Sequence, residues 1–440
     1  MPLTKFSDLD FDQIKTQIKD YLRSNSNFTD FDFEGSNFSV LIDTLAFNSY
    51  ISAYNANMVS NEVFIDSATL RENVTSLARN IGYVPSSKKA AKATVSFFVD
   101  TSALSTKPKT LTLRAGLVAV SDQFGGSNYT FCIPEDITIN VVSETAFFTD
   151  IEIYEGTFLS KEFTVDVSDI DQRFIVPNAN VDTSTLVVKV KDFDFALTSV
   201  TYSQVDTIID ITSSSTIYLL QEVADEKYEL LFGDGVFGKA LEDGDIIPVN
   251  YIVTNGDSGN GINSFTFTGR LTYTRNDNTY VVTSGISLLS TQVGSSGGEN
   301  IESTDSVKKF APRIYASQNR CLTANDYETL IPARIYPETE SISVFGGEEV
   351  IPPQYGKVFI SIKPRSGDFL PNLIKENIKL KLKKYAVAGI IPEILDLKYL
   401  YLEVDSKVYY NSNLTPNSAY VSTVVQNNAC LLYTSPSPRD

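Results

Sequence analysis

Two glycine-rich stretches of this 440-residue sequence come closest to known chemical motifs. Gly233, Gly235 and Gly238 satisfy the G-x-G-x-x-G pattern, whose glycines end a strand and open a helix that holds a pyrophosphate. The strand-like run KYELLF precedes them, but KALEDGD and a second strand-like run follow, so no helix start is present. A kinase glycine-rich loop does lie between strands, but its catalytic loop requires a histidine, which this sequence lacks. The pattern therefore favours a turn between two strands.

The second stretch, residues 294–298 (GSSGG), matches the G-x-S-x-G pattern of a serine nucleophile. That motif needs a strand before it, a helix after it and a histidine base. The sequence contains no histidine, which also excludes Cys-His catalysis, histidine metal ligands and histidine pH sensing. We therefore interpret the segment VGSSGGENIES as a Gly/Ser linker.

Acidic residues crowd several predicted turns, and carboxylates together with turn carbonyls can bind Ca²⁺. No segment has the spacing of a calcium loop, so solvated turn residues are the favoured interpretation. The three cysteines are far apart and odd in number, which is typical of a reducing compartment without a disulfide framework. We expect no catalytic residue, no metal ion and no cofactor. The acidic turn residues are Asp225, Glu226, Asp234, Glu242, Asp243 and Asp245. The three cysteines are Cys132, Cys321 and Cys430.

The sequence is acidic, since 36 Lys and Arg against 54 Asp and Glu give a net charge of −18. This balance disfavours sequence-independent nucleic-acid binding, which needs a cationic surface. One predicted helix, residues 371–388, is locally basic, and its simplest interpretation is a solvated face with cations near the helix C-terminus. The functional alternative is a docking face for an acidic neighbouring subunit. Its lysines are Lys375, Lys379, Lys381, Lys383 and Lys384, of which Lys375, Lys379 and Lys383 are the candidate docking residues.

Helical periodicity in residues 1–90 predicts a helical N-terminal domain. A first amphipathic helix is expected over residues 11–23. Ser36 or Asn37 can cap a long second helix that runs to about Phe64. The predicted apolar face of that second helix consists of Phe38, Leu41, Ile42, Leu45, Ala46, Ala53, Ala56 and Val63.

The third predicted helix begins at Asp66 or Ser67 as its N-cap. Gly82 lies where a left-handed C-cap belongs, and Pro85 prevents the helix from continuing. These two residues mark the passage to the β-rich part of the chain.

From about residue 92 the hydrophobic period changes to two, which predicts β-rich domains over residues 91–165 and 166–290. A compact α+β domain is expected over residues 291–400, because helical and strand-like segments alternate there. The predicted fold class is therefore multidomain α+β, with a helical N-terminal domain, β-rich middle domains and an α+β domain after them.

A helix start inside the α+β domain carries a particularly complete set of capping residues. Thr323 is the predicted N-cap, and Asp326 is the reciprocal acid of a capping box. Leu322 and Tyr327 have the spacing of a hydrophobic staple.

The two ends of the sequence carry further expectations. No window approaches 18 apolar residues and MPLTKFSDLDFDQ lacks the apolar core of a signal peptide, so we expect a cytoplasmic product with no membrane span. Residues 401–429 are expected to begin a truncated C-terminal region. Residues 430–440, CLLYTSPSPRD, resemble the translation of a common sequencing adapter.

Four segments, spread over about residues 10–400, occur in the order of one protein family. The first segment consists of DFEGSNFSVLIDTLAFN and the later run LRENVTSLARNIGYVPSSKKAA. This segment resembles the helical N-terminal region of the baseplate wedge protein (gene product six) of large contractile-tailed phages. LLFGDGVFGKALEDGDIIPVNYIVTNG, RCLTANDYETLI and SIKPRSG resemble segments of the wider baseplate J-like family. The matching residues include Phe33, Glu34, Gly35, Ser36, Gly82, Pro85, Gly233, Gly235, Gly238, Arg320, Thr323, Asp326 and Tyr327.

This resemblance implies a structural subunit of the tail baseplate in the virion, assembled in the host cytoplasm, without catalysis. Such wedge proteins pair as dimers within a wedge, and six wedges surround a central hub. Other wedge, hub and sheath-initiating proteins are the implied partners, and neither nucleic acid nor membrane is among them.

Two alternatives stay open at this point. One is the equivalent plate protein of a contractile injection system or tailocin, which genomic neighbours would distinguish. The other is a glycan-binding or glycan-degrading tail protein built of β domains, which would need clustered exposed aromatics and a carboxylate pair at glycosidase spacing.

Overall fold

The computed structural model describes residues 10–24, 37–102, 104, 107–192, 198–205, 211–275, 278–318, 320–365, 367, 369–387 and 389–397. Phe33, Glu34, Gly35, Ser36 and Cys430 lie outside the described residues, as do the segments 401–429 and 430–440. The architecture below is that of the compact unit Met1–Leu395. Its helices and strands confirm the multidomain α+β class.

The described helices occur in two groups, one before and one after the strands of the middle region. They are α1 Phe11–Ser24, α2 Asn37–Glu62, α3 Arg71–Asn80, α4 Thr304–Ser317, α5 Ala324–Leu330 and α6 Asn372–Leu382, with a π-helical turn at Ile331–Ile335 and 3₁₀ turns at Ala224–Glu226, Gly256–Gly259 and Gly347–Glu349.

Strands fill the middle region, as the period-two pattern predicts. They are β1 Lys92–Asp100, β2 Thr110–Leu113, β3 Gly116–Ser121, β4 Thr130–Ile133, β5 Ile137–Asn140, β6 Thr145–Glu155, β7 Thr157–Thr164, β8 Phe174–Val176, β9 Val181–Val190, β10 Val200–Gln204, β11 Ile217–Val223, β12 Lys227–Phe232, β13 Ile246–Val253, β14 Phe265–Phe267, β15 Leu271–Arg275, β16 Asn278–Val282, β17 Ser290–Ser296, β18 Thr339–Gly346, β19 Lys357–Pro364 and β20 Ile391–Leu395.

The first β unit combines strands from both ends of the middle region. A six-stranded sheet has the order β14-β3-β4-β6-β1-β17, and a four-stranded sheet has the order β16-β15-β2-β5. The sheets share one apolar core, in which Phe97 and Phe148 stack with ring centroids 4.7 Å apart. β17 pairs antiparallel with β1, so the predicted Gly/Ser linker is wrong. Gly294, Ser295 and Ser296 of this segment belong to an edge strand of the sheet.

The second β unit is inserted in the first and consists of a seven-stranded sheet in the order β7-β13-β9-β10-β11-β12-β8. The division thus differs from the contiguous domains 91–165 and 166–290 expected from the sequence, because β7 joins the second unit while β14 to β17 return to the first. Alternation along a strand shows which face is buried, but it does not identify the strand that pairs with it.

Buried carboxylates hold the inserted unit to the first one. Glu155, 1% exposed, accepts hydrogen bonds from the Thr254 hydroxyl at 2.7 Å and the Asn255 side-chain amide at 2.8 Å. Asp182, also 1% exposed, accepts one from the Ala90 backbone N–H at 2.8 Å. An unpaired buried carboxylate would be strongly destabilising, so these contacts fix the junction.

The last described domain places helices against a three-stranded sheet of order β18-β19-β20. β18 and β19 are antiparallel, and β20 runs parallel to β19 after the α6 crossover. Its core includes Tyr327, Leu330, Ile360, Ile378 and Leu382. The predicted helix 371–388 is shorter in the structure, because α6 ends at Leu382.

α3 packs on α4 and begins later than predicted. Asp66 and Ser67 are not its N-cap, because the helix starts at Arg71 with Leu70 in the cap position. The carboxylate of Glu62, at the end of α2, instead accepts hydrogen bonds from the backbone N–H groups of Thr69 at 2.8 Å and Leu70 at 3.3 Å. A side chain from the preceding helix therefore organises this turn, a pairing that a search for local N-caps does not detect.

The end of α3 confirms the predicted glycine C-cap. Gly82 has φ +78°, and its N–H donates to the Arg79 carbonyl at 2.9 Å. The Tyr83 N–H donates to the Ala78 carbonyl at 3.0 Å, which completes a Schellman motif. Pro85 follows in non-helical backbone.

Candidate interaction surfaces

The glycine pattern at residues 233–238 forms a turn, as predicted. The Gly235 N–H donates to the Gly238 carbonyl at 3.0 Å, and Asp234 Oδ1 accepts from the Val236 and Phe237 N–H groups at 2.9 and 2.8 Å. Strand β12 precedes the turn and β13 is the next element after it. No helix N-terminus is therefore presented to a phosphate at this turn.

The G-x-S-x-G stretch has no nucleophile geometry, because its serines lie in β17. Ser295 is buried, and its hydroxyl donates to the Gly259 carbonyl at 2.6 Å and accepts from the Ile262 N–H at 2.8 Å. The hydroxyl is thus used in holding β17 to the segment before β14.

The acidic turns are not uniformly solvated. Asp245 is only 5% exposed, and its carboxylate accepts from the Glu242 N–H at 2.8 Å, which corrects the prediction for this residue. Among the described residues no group of three or more Cys, Asp or Glu side chains could hold a metal ion. Burial raises the pKa of Cys132 to about 11 and that of Cys321 to about 12, so both thiols stay protonated at neutral pH.

The most unusual surface is that of α2. Its 26 residues bury only Ser39, Ile42, Ala46, Asn57 and Asn61. Of the apolar face that the sequence pattern predicts, Ile42 and Ala46 are buried, whereas Phe38, Leu41, Leu45 and Val63 are 44–57% exposed. α1 contacts α2, and Ser49 and Ala53 of α2 line a surface cleft with Ile14, Ile18 and Tyr21 of α1.

A second side of α2 carries an exposed apolar stripe at helical spacing. Its members are Val40, Phe47, Ile51, Tyr54 and Met58, which are 37–59% exposed. Their spacing of three, four and seven residues aligns them along one face, away from Ile42 and Ala46. We call these five residues the α2 stripe. Among the described residues α1 is the main neighbour of α2, and it leaves this stripe uncovered.

The base of the helical region is fixed by a charged cluster between α3, β11 and the segment before α4. Arg71 Nε and Nη2 donate to the two Glu222 carboxylate oxygens at 2.8 and 3.1 Å, and Arg71 Nη1 also donates to the Glu302 carbonyl. The Glu302 carboxylate accepts from the Tyr83 hydroxyl at 2.8 Å. Burial raises the pKa of Glu222, while the neighbouring guanidinium of Arg71 opposes that rise. The cluster joins three parts of the chain.

The predicted capping box of α5 is confirmed. The Thr323 hydroxyl accepts from the Asp326 N–H at 3.3 Å, and the Asp326 carboxylate accepts from the Thr323 N–H at 2.8 Å. Leu322 remains 55% exposed, whereas Tyr327 is fully buried. Arg320 lies just before the box, where its side chain donates to Gln318 Oε1 at 3.1 Å.

The lysines of α6 do not form one uniform exposed face. Lys379 pairs with Glu376 at 3.1 Å, and Lys381 donates to the Ile335 carbonyl at 3.3 Å. Lys375 is half-buried, while Lys383 and Lys384 are exposed at the C-terminal end. The sequence pattern did not reveal that Leu373 and Leu380 are 75% and 66% exposed on the outer face. Their spacing of seven residues places both leucines on the same face of the helix, and this spacing could have identified that face from the sequence.

Two family models match this chain. "Baseplate wedge protein gp6-like, helical domain" matches residues 10–83, and "Baseplate structural protein gp6, C-terminal domain I" matches residues 323–395. The baseplate wedge protein gp6 of Enterobacteria phage T4 is 27% identical over 92% of this chain. The chain spans about three fifths (61%) of the length of that relative.

A solved structure is also similar: the anti-feeding prophage baseplate, determined by cryo-EM and 6-fold symmetrised. The match covers 88% of this chain and 71% of that chain, at 13% identity and a TM-score of 0.32, a value too low to carry an argument. Among the residues that the structure describes, no helix has the length and apolar character needed to cross a membrane.

Proposed function

We propose that this chain is a gp6-like structural subunit of a phage tail baseplate wedge, since two gp6 family models and the gp6 relative match it. In this role it self-associates as a dimer within a wedge, contributes to a ring of wedges and binds other wedge, hub and sheath-initiating proteins. Its location is the tail baseplate of the virion. The role requires no catalytic group and no cofactor.

The observation that carries this proposal is the α2 stripe. A helix that is apolar on several sides is normally buried, because exposed apolar surface is unfavourable in water. Contiguous exposed apolar patches on soluble proteins mark interaction sites. Side chains that recur at three-, four- and seven-residue spacing suit a partner helix laid alongside. We therefore assign the α2 stripe to a helix of another subunit in the wedge.

The rigid attachment of α3 supports the same role. Arg71 joins α3 to Glu222 of β11 and to the Glu302 carbonyl before α4. Fully hydrogen-bonded buried charges of this kind hold one geometry, because breaking them leaves an unpaired charge. A scaffold needs such fixed junctions between its interaction surfaces.

The candidate docking residues of α6 belong to a second proposed contact. Lys375, Lys379 and Lys383 recur every four residues and therefore lie along one side of the helix. Pairing with an acidic neighbour would give orientation and association rate more than affinity. We propose that this side faces another baseplate subunit.

Co-expression with the adjacent wedge proteins tests the proposal. Phe47→Glu together with Tyr54→Glu places two charges in the α2 stripe, and the resulting variant should lose the complex while remaining soluble. Asn48→Glu with Asn55→Glu is the matched control, because both asparagines are exposed on α2 at the same spacing. A complex that tolerates the stripe variant as well as the control variant would show that the α2 stripe is not an interface.

A further inference from the structure

The connection between β18 and β19, residues 347–356, is held in one conformation. The Gln354 N–H donates to the Gly347 carbonyl at 2.8 Å, and the Gly346 N–H donates to Glu349 Oε1 at 3.3 Å. Gly347 is required by the close approach of backbone, since a Cβ there would lie 1.8 Å from the Gln354 carbonyl oxygen. We call residues 347–356 the β18–β19 loop.

This rigid loop exposes large apolar side chains. Ile351 is 95% exposed and Tyr355 is 82% exposed, so the part of the chain that the structure describes leaves most of their apolar surface uncovered. Glu348 and Glu349 are exposed beside them, and the loop contains no basic residue. A loop already ordered in its binding conformation loses little conformational entropy on docking. Rigidity and apolar exposure together are properties of a docking element.

The outer face of α6 has the complementary composition. Leu373, Asn377, Leu380 and Lys384 follow one another at spacings of four, three and four, so they lie along one line of the helix. Leu373 and Leu380 are the exposed apolar members, and Lys383 and Lys384 are exposed at its C-terminal end. Residues 371–388 contain five Lys and one Glu, which gives a local charge of +4 in an acidic chain.

The loop and the chain that leaves α6 meet at one end of the sheet. The Ile391 N–H, at the start of β20, donates to the Gly356 carbonyl at 2.9 Å, and Lys357 pairs with Ile391. Ile391 is itself 59% exposed at this end. An acidic apolar loop and a basic apolar helix are therefore carried by one domain, near the same sheet end.

We propose that the β18–β19 loop docks on the outer face of α6 of a second copy of this chain, and that the second copy returns the same contact. Ile351 and Tyr355 pack on Leu373 and Leu380, and the loop glutamates face Lys383 and Lys384. The occupant is a second copy because both complementary halves are present on one domain. A reciprocal contact of this kind closes a two-fold dimer. The inference rests on the proposed self-association and assigns a surface to it.

Cysteine cross-linking between two differently tagged copies of the 440-residue chain tests this surface directly. One copy carries Ile351→Cys and the other carries Leu380→Cys, and we expect an intermolecular disulfide in the mixed dimer. The control replaces Ile351→Cys by Ile170→Cys, because Ile170 is 96% exposed in the inserted β unit. Equal cross-linking of Ile170→Cys and Ile351→Cys chains would overturn the assignment.

Sedimentation of the wild-type chain and of serine variants measures dimer formation without cross-linking, and it separates this inference from the proposed function. Ile351→Ser with Tyr355→Ser should weaken the dimer by about tenfold or more, the usual effect of losing apolar anchors at an interface. Ile170→Ser with Leu288→Ser is the control, since Leu288 is 93% exposed elsewhere. A wild-type dimer that neither cross-links nor responds to the loop variant refutes this surface alone. A wild-type chain that stays monomeric refutes the proposed self-association as well.

Discussion

Replacing Arg71 by Met should release α3 from the inserted β unit. Glu222 is 2% exposed at its side chain and Arg71 is 18% exposed, so the pair is shielded from water. Removing one partner of a buried, hydrogen-bonded ion pair costs about 3–5 kcal/mol, because the other charge is left uncompensated. Glu226 and Glu302 also act on the Glu222 carboxylate and raise its pKa further. The lost free energy therefore destabilises the contact between α3 and β11, which fixes the position of the helical region.

Hydrogen exchange of the α3 amides measures this loss locally, without assuming two-state unfolding of a multidomain chain. A loss of about 3 kcal/mol accelerates exchange through opening of α3 by about a hundredfold. Burial already raises the pKa of Glu222, and removing Arg71 makes the charged carboxylate still less favourable. The loss of α3 stability in Arg71→Met should therefore shrink as the pH falls and Glu222 becomes protonated.

Two further variants decide whether the buried charge is the cause. Arg71→Met with Glu222→Leu should recover most of the protection, because no unpaired carboxylate remains. Lys92→Met breaks the exposed pair with Glu152 and should change stability by less than about 1 kcal/mol. If the Arg71→Met protein exchanged as slowly as wild type, or if its defect did not depend on pH, the junction would not rest on this ion pair.

Two smaller predictions concern helix ends. Hydrogen bonds from Thr69, Asn73 and Leu70 outweigh burial and lower the pKa of Glu62 to about 2, so its stabilisation is present above about pH 4.5 and is lost as the pH falls towards 2. Glu62→Gln should therefore lower the free energy of opening at the start of α3 by less than about 1 kcal/mol at pH 7, which hydrogen exchange measures as faster exchange. Near pH 2 the variant should exchange like the wild type. A difference that does not depend on pH would contradict this. Thr323→Ala should destabilise α5 by about 1 kcal/mol in urea unfolding, whereas Thr323→Ser should not; equal midpoints would argue against the cap.

Local features of the fold follow from sequence where neighbours in the chain make the contacts. The capping box of Thr323 and Asp326 joins residues three apart, and the Gly82 cap needs only the last turn of α3. The turn at residues 233–238 likewise depends on nearby glycines and on Asp234. In each case the residue type and its spacing determine the hydrogen bonds.

Contacts between distant segments could not be obtained in the same way. The segment of β17 has glycine and serine residues typical of a linker, but β1, about 200 residues earlier, pairs with it and makes it a strand. Glu62 organises the start of α3 from a different helix, which displaced the expected caps Asp66 and Ser67. Partner strands and tertiary hydrogen bonds override local propensity at these positions.

The interaction surfaces were the least predictable part of the site. A periodic apolar pattern shows that a helix has apolar faces, but it does not show which face this chain covers. On α2 Ile42 and Ala46 are buried, but most of the large apolar side chains of the helix stay exposed. On α6 the pattern of lysines predicts a docking face, but it does not predict that Leu373 and Leu380 are 75% and 66% exposed.

The most direct test of the structural role is hydrogen exchange along α2, compared between the free chain and the complex co-expressed with adjacent wedge proteins. Burial of the α2 stripe against a partner helix would slow exchange of the α2 amides in the complex, whereas amides of β6, which pairs with both β1 and β4, would be equally protected in both states. A stable complex in which α2 exchanges as fast as in the free chain would contradict the role proposed for this helix.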